Sequence, residues 1–178
     1  MANRVHKLVD VSHDNVILRT FILFVQTAYT VLKYADAHFY KAARLSTIKF
    51  IVLQALAING GRMTPSEIAE WTFKERHNIT TLIDRLKRDG IVRAERSLKD
   101  KRFVNIILTA KGRRVLKQTT PVAREIVDQV MLSFSEGDAV LLEKSLRVLR
   151  QNAHSSIKQL AKLSRPGLGK AMVPSTSD

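Results

Sequence analysis

The tetrapeptide Thr-Pro-Ser-Glu at residues 64–67 constrains the fold more than any other feature of the chain. Thr64 can accept a hydrogen bond from a first-turn amide, Pro65 suits the first position of a helix, and Glu67 can reach back to the amide of Thr64. We therefore predict a short helix from Pro65 to Trp71. Because a short helix is stable only when one face is buried, we place three of its side chains in the core: Ile68, Ala69 and Trp71.

A second helix pattern follows a tight turn at residues 72–74 and runs from Glu75 to Arg88, where Gly90 stops it. Its apolar residues recur at helical spacing and must face inward: Ile79, Leu82, Ile83 and Leu86. The opposite side carries side chains that bind base edges, since Arg can grip guanine, Asn can grip adenine and Thr can touch a thymine methyl group. From this side, its flank and the N-terminal end of the helix we select six candidate DNA-binding residues: Lys74, Arg76, His77, Asn78, Thr81 and Arg85.

The alternative for this face is an ordinary polar surface, which most surface helices have. The position of the helix favours DNA binding, because it follows a short capped helix through a tight turn, as recognition helices do. Asp84 lies on the same side and would be repelled by phosphate, so we expect it to pair with a nearby arginine.

Two strand patterns follow, at residues 91–96 and 102–108, and apolar residues alternate with period two in the second. The polar turn between them adds Lys99, Asp100 and Lys101 to the candidate DNA-binding residues, and Arg102 follows directly. A cationic hairpin tip can enter a narrow minor groove, whose negative potential attracts an inserted arginine. The sequence therefore predicts a basic hairpin, or wing, beside the second helix.

A further helix pattern precedes these elements, from Thr47 to Ile58, and ends at Asn59-Gly60-Gly61, where glycine supplies a left-handed stop. We expect five residues on its inward face: Ile48, Ile51, Val52, Ala55 and Leu56. Taken in order, the helix, the short helix, the second helix and the hairpin predict a winged helix-turn-helix. The fold class is mainly α with a small β-hairpin wing.

The composition of the 178 residues agrees with a polyanionic partner. Thirty Lys and Arg oppose 16 Asp and Glu, which gives a net charge of +14, and each neutralised phosphate releases condensed counterions. The chain contains no cysteine, which excludes disulfides and zinc thiolate sites. The sequence shows no nucleophile with an adjacent base, no phosphate-binding glycine loop and no useful carboxylate pair. We expect neither catalysis nor a cofactor.

Helical patterns flank the winged segment on both sides. Residues 13–43 are apolar on almost every face, and residues 115–134 and 139–163 also show helical spacing, with a start signature at Ser135 and Asp138. We divide the chain into an N-terminal dimerisation region at 1–44, a winged helix-turn-helix DNA-binding lobe at 45–114 and C-terminal dimerisation helices at 115–163. Residues 164–178 are rich in Pro, Gly and Ser, and we expect a disordered tail.

The most apolar region, residues 16–40, is interrupted by Arg19, Gln26, Lys33 and Asp36. Its longest unbroken apolar run, Phe21–Val25, is far shorter than the roughly 20 residues of a transmembrane helix. We therefore expect no membrane anchor, and the polar N-terminus does not resemble a signal peptide. These features favour a cytoplasmic location.

In the segments LSTIKFIVLQAL, TPSEIAEW, NITTLIDRLKRDGIVRAE and DKR followed by VNIILTAKG, the chain resembles the MarR (multiple antibiotic resistance regulator) family. The resemblance covers residues 16–163 and implies a homodimeric, ligand-responsive bacterial or archaeal transcription regulator. It also implies that Arg102 enters the minor groove, that Asp100 orients it, and that Thr109 and Gly112 start the helix after the wing. The sequence departs from the family at residues 71–78, which are bulkier and more charged than usual.

The resemblance further implies a small aromatic or phenolic effector bound between the dimer layer and the DNA-binding lobe. Four residues are candidates for lining that pocket: Tyr29, Tyr34, His38 and Arg44. The alternative is that these side chains merely pack the core. His6, Asp10, His13 and Asp14 would lie close together on a helix, but isolated groups near a terminus are normally solvated, so we predict no metal site.

These observations predict a homodimeric, sequence-specific transcription regulator that binds a pseudo-palindromic double-stranded DNA operator, most simply as a repressor. The alternative from another class is a winged-helix module that docks a protein or RNA partner without base-specific DNA contacts.

Overall fold

A computed structural model describes the protein at residues 15–96 and 103–163, with side chains up to residue 160. In chain order its elements are α1 Val16–Ala43, α2 Thr47–Ile58, β1 Arg62–Met63, α3 Pro65–Thr72, α4 Arg76–Arg88, β2 Val92–Arg96, β3 Val104–Leu108, α5 Ala110–Val130 and α6 Glu136–Leu163. They form two compact units that separate between Leu132 and Ser133. The expected functional divisions at residues 44, 114 and 163 stay predictions. The expected tail at 164–178 lies outside the described residues.

The predicted start of α3 is confirmed. The Thr64 hydroxyl oxygen accepts from the amide of Glu67 at 3.3 Å, and the Glu67 carboxylate accepts from the amide of Thr64 at 2.7 Å. Pro65 occupies the first turn, and Phe73 ends the helix in the left-handed conformation at φ 53°. Two orphan amides of the first turn are thus satisfied within four residues, which fixes where α3 begins.

Helix α4 buries the side that the spacing predicts. Ile79, Ile83 and Leu86 are buried, Leu82 is half-buried, and the helix gives way to Gly90 at φ 67°. The opposite side of the helix is therefore free to carry polar side chains.

The predicted hairpin is confirmed, and a third strand joins it. β2 and β3 pair antiparallel from Val92 against Leu108 to Arg96 against Val104, and β1 pairs with the other edge of β3, so the strand order is β1-β3-β2. Sequence reasoning missed β1 because two residues are too few to show alternation.

Helix α2 forms the centre of the core of the first unit. Its residues Val52, Leu53, Ala55 and Leu56 are fully buried, and Phe50 stacks on Phe39 of α1 with ring centroids 4.4 Å apart. The expected inward face was partly wrong, because Ile48 and Ile51 are only half-buried while Phe50 and Leu53 are buried. A helix packed on several sides has no single inward face.

Helix α5 begins at Ala110, five residues before the expected start, because Thr109 caps it. The Thr109 hydroxyl oxygen accepts from the amide of Gly112 at 3.0 Å. This confirms the helix-start role that the resemblance implied for Thr109 and Gly112. On the other side of α5, the Gln118 amide donates to the carbonyl of Ala42 at 2.8 Å and holds α5 against α1.

The second unit starts with the predicted signature. Ser135 and Asp138 exchange hydrogen bonds, with the carboxylate accepting from both the amide (3.1 Å) and the hydroxyl (2.6 Å) of Ser135. The Ser135 hydroxyl, and then its amide, hold the pKa of Asp138 below the ordinary value of 3.8. Taken by itself, α6 leaves many apolar side chains exposed: Val140, Leu141, Leu142, Leu146, Val148, Leu149, Ile157 and Leu160.

Helix α1 is likewise apolar and largely uncovered. Its buried residues are Ala35 and Phe39, whereas Val16, Ile17, Phe21, Leu23 and Tyr29 are more than half exposed. By length and composition this helix could cross a membrane, a test that core helices of soluble proteins also pass. Its C-terminal half packs on α5 and α2 through contacts such as Gln118 with Ala42. The expectation that it is no membrane anchor stays a prediction.

Candidate nucleic-acid interface

The six candidate DNA-binding residues before the wing all lie exposed in or beside α4. Five lie within the helix and Lys74 precedes its N-cap residue, Glu75. The buried side of the same helix packs on the core through residues 79, 83 and 86. The structure therefore leaves all six candidate side chains accessible: Lys74, Arg76, His77, Asn78, Thr81 and Arg85.

Hydrogen bonds to the helix backbone restrict the DNA contacts that Thr80 and Thr81 can make. The Thr81 hydroxyl donates to the carbonyl of His77 at 3.3 Å, and the Thr80 hydroxyl donates to the carbonyl of Arg76 at 3.0 Å. With its hydroxyl engaged, Thr81 can contact a base edge through its methyl group, which suits the methyl group of thymine.

The charges around α4 favour phosphate. Five cations lie in or beside the helix, at Lys74, Arg76, Arg85, Lys87 and Arg88, and three carboxylates lie at Glu75, Asp84 and Asp89. The expectation that Asp84 pairs with an arginine was wrong, because its carboxylate lies 3.2 Å from Lys87. That lysine is three positions later on the same helix, a spacing at which side chains meet.

The turn before α4 contains two exposed aromatic side chains. Trp71 is 40% exposed and Phe73 is 56% exposed, so the expectation that Trp71 belongs to the core was wrong. Trp71 lies two positions after Ala69, a rotation of about 200° that turns it away from this buried residue. The amide of Lys74 donates to the carbonyl of Ala69 at 3.1 Å, which holds the turn tightly on α3.

The structure describes the two strands of the wing, β2 and β3. Arg96 pairs with Val104 across the two strands, and Arg93 lies 3.3 Å from Glu95. The four candidate residues of the tip lie outside the described residues: Lys99, Asp100, Lys101 and Arg102. Their roles stay predictions.

The four candidate effector residues are only partly brought together. Tyr34 and His38 are half-buried neighbours with ring centroids 4.4 Å apart, whereas Tyr29 is 72% exposed. The Arg44 guanidinium lies 4.6 Å from the centre of the Tyr40 ring. A groove of about 430 Å³ lies elsewhere, between the end of α2 and the first half of α5, and none of the four lines it. The effector role of these residues stays a prediction.

The described residues also provide no support for a metal site. Within residues 15–96 and 103–160, no three His, Asp or Glu side chains are grouped to hold a metal ion. His6, Asp10, His13 and Asp14 lie outside the described residues.

The chain is similar to known transcription regulators. The sequence profile of the MarR family matches residues 45–102. The HTH-type transcriptional repressor YetL of Bacillus subtilis is 32% identical over 110 residues, which are 61% of this chain and 66% of YetL. The chain therefore aligns with about two thirds of the length of that relative.

Two solved structures share the fold. The transcriptional regulator MOSR of M. tuberculosis, solved in complex with DNA, superposes with a TM-score of 0.67 at 26% identity, over 80% of this chain and 98% of MOSR. The organohalide-sensing regulator RdhR-CbdbA1625, in its 2,4-dichlorophenol-bound form, superposes with a TM-score of 0.72 at 22% identity, over 85% and 89%.

The capped α3, the exposed face of α4 and the antiparallel wing define a winged-helix transcription regulator. The chain belongs to the MarR family. This confirms the resemblance and the predicted fold class, mainly α with a small β wing. The family consists of DNA-binding regulators, which also confirms the expectation that the chain is not an enzyme.

Proposed function

We propose that the protein is a sequence-specific DNA-binding regulator that acts as a homodimer and represses transcription from a pseudo-palindromic operator. The exposed side of α4 carries this proposal. It presents base-contacting side-chain types opposite a buried apolar side, directly after a short capped helix. The DNA complex of MOSR and the repressor activity in the name of YetL support it.

The residues of the interface divide into two roles. Lys74, Arg76 and Arg85 contact phosphates and supply affinity, because each neutralised phosphate releases counterions. His77, Asn78 and Thr81 face base edges in the major groove and supply sequence preference.

In the wing, Arg102 enters the minor groove and Asp100 orients its guanidinium. Lys99 and Lys101 contact the DNA backbone beside it. The basic tip follows β2, whose last residue, Arg96, is exposed and pairs with Val104 of β3.

Exposed apolar side chains support the homodimer. On α1, Phe21 and Leu23 are both more than half exposed, and α6 shows the same property by itself at Leu141 and Leu160. Monomeric proteins rarely expose this much apolar surface. A second copy of the chain therefore buries these side chains in a dimer interface. Two-fold symmetry places two recognition helices in successive major grooves about 34 Å apart.

An aromatic or phenolic effector binds near Tyr34 and His38 and changes the spacing of the two DNA-binding lobes. A ligand can shift this equilibrium only through its differential affinity for the two states. The two half-buried rings, tilted by 50° and 4.4 Å apart, offer aromatic surface to such a ligand, and RdhR-CbdbA1625 has been crystallised with 2,4-dichlorophenol. The DNA target implies a cytoplasmic location, and Lys33 and Asp36 on α1 argue against a membrane anchor.

Selection from a randomised duplex library tests the proposal. The protein should enrich an inverted repeat whose half-sites are centred roughly 10 base pairs apart. The proposal is contradicted if no sequence is enriched, or if a structured RNA binds more tightly than any selected duplex. Either result would favour a protein-docking or RNA-binding module.

A further inference from the structure

The segment that follows the recognition helix, residues 89–91, is held by two other elements. From α2, the Lys49 ammonium lies 2.8 Å from the carboxylate of Asp89. From the start of α5, Lys111 donates to the backbone carbonyl of Asp89 at 2.7 Å. The hydroxyl of Thr109 lies within hydrogen-bonding distance of the carbonyl oxygens of residues 90 and 91, at 2.8 and 2.9 Å. The C-terminal end of α4 is therefore fixed from outside the helix.

The two elements that hold this segment are themselves attached to α1. The amide of Thr47, the first residue of α2, donates to the carboxylate of Asp36 at 2.7 Å. The side chain of Gln118 on α5 donates to the carbonyl of Ala42 at 2.8 Å. Polar contacts thus join α1 to both α2 and α5, and each of these two helices makes a further polar contact with Asp89 at the end of the recognition helix.

The Lys49–Asp89 pair differs from an ordinary surface ion pair. Its members are 40 positions apart, and the side chain of Lys49 is 18% exposed, whereas that of Asp89 is 46% exposed. Asp89 occupies the C-cap of α4, where the negative end of the helix dipole disfavours a carboxylate. The helix dipole therefore does not stabilise an acidic residue at this position, whereas the Lys49 ammonium on α2 does.

We propose that Lys49 and Asp89 are positioning residues for DNA recognition. Their ion pair fixes the angle of α4 against α2 and, through Asp36, against α1. The pair acts through the recognition helix, because an interaction between two rigid elements selects one of their relative arrangements. This inference rests on the proposed DNA-binding function.

Asp89→Asn is the decisive variant, because simple electrostatics and positioning predict opposite results. Removing a negative charge from a DNA-binding protein should tighten binding if only net charge matters. Loss of positioning instead weakens binding to a duplex that the wild type selects from a random library, by about tenfold, while binding to a scrambled duplex becomes no weaker. Fluorescence anisotropy at one salt concentration measures both.

Asp84→Asn is the matched control. It removes the same charge five positions earlier in the chain, but its partner, Lys87, lies within α4. We expect it to bind the selected duplex at least as tightly as the wild type. The double variant Lys49→Met/Asp89→Asn should bind no more weakly than Asp89→Asn alone, because the two side chains act as one unit. Additive losses would overturn the pairing.

The proposal is overturned if Asp89→Asn binds the selected duplex as tightly as the wild type or more tightly. Should that variant fail to fold, Lys49→Met and Lys49→Arg decide, since arginine keeps the pair and methionine removes it. Because methionine also removes a cation, the deciding quantity is the ratio of affinities for the selected and the scrambled duplex, and equal ratios in these two variants would overturn the proposal as well. If the wild type selects no sequence at all, the proposed function fails instead, so the two failures are distinct.

Discussion

Gly112 in the first turn of α5 lies against the backbone carbonyl oxygen of Ile91, so closely that a β-carbon at this position would overlap that oxygen. The same β-carbon would come within 2.7 Å of the Leu108 side chain. Glycine therefore lets α5 begin directly beside the hairpin. The amide of Gly112 also donates the capping bond to the Thr109 hydroxyl oxygen, at 3.0 Å.

We predict that Gly112→Ala lowers the free energy of unfolding by about 1–3 kcal/mol, the usual cost of overpacking a close contact. Urea denaturation followed by circular dichroism measures the change. Gly137→Ala is the matched control, because the nearest atom to its new β-carbon, the Ser135 hydroxyl oxygen, is 3.7 Å away. That variant should be neutral or gain up to about 1 kcal/mol from helix propensity. Equal stabilities of the two variants would contradict the account.

Two substitutions at Thr81 separate its methyl group from its hydroxyl. Thr81→Ser removes the methyl group and should reduce discrimination at one base pair by about tenfold, since the methyl is the part left free to contact thymine. Thr81→Val keeps the methyl group and loses only the hydroxyl that donates to His77, so it should keep the preference. Randomised-site selection compares the two. An altered preference in the valine variant alone would show that the hydroxyl contacts the base.

At the wing, Arg102→Ala should weaken operator binding. It should also lower the slope of log K against log salt concentration by about one unit per lost contact per subunit. Lys144→Ala removes an equal charge from the exposed surface of α6 and serves as the control. Should the salt titration of Arg102→Ala coincide with that of the wild type, the predicted role of the wing is wrong.

The hydrogen bonds at the start of α6 predict a pH effect. Because the folded pKa of Asp138 is lowered by the Ser135 hydroxyl, the stabilisation is present above the ordinary pKa of 3.8 and is lost as the pH falls through the folded pKa. Ser135→Ala should raise the pKa of Asp138 towards its ordinary value in an NMR titration of its carboxyl carbon. Ser145→Ala, whose hydroxyl donates to Leu141 instead, should leave it unchanged. No difference between the two variants would contradict this contact.

Local rules predicted the elements well where the signal lay in adjacent residues. The capping box of Thr64 and Glu67, the glycine stop after Arg88 and the alternation in β3 are each complete within a few positions. The exposed side of α4 could be predicted because it lies opposite the apolar residues of the same helix.

Features that depend on distant partners could not be predicted in this way. The pair of Lys49 with Asp89 joins elements 40 positions apart, and β1 exists only because β3 offers an edge to it. Trp71 has an apolar side chain, but its position on α3 leaves it exposed. Composition gives no information about such placements.

The central claim is that the exposed face of α4 recognises a particular DNA sequence. Competition binding at fixed salt, between the duplex that the protein selects and random duplex DNA, tests it most directly. The account predicts a preference of about 10³ or more for the selected duplex. A ratio close to one would show that the protein binds DNA through charge alone.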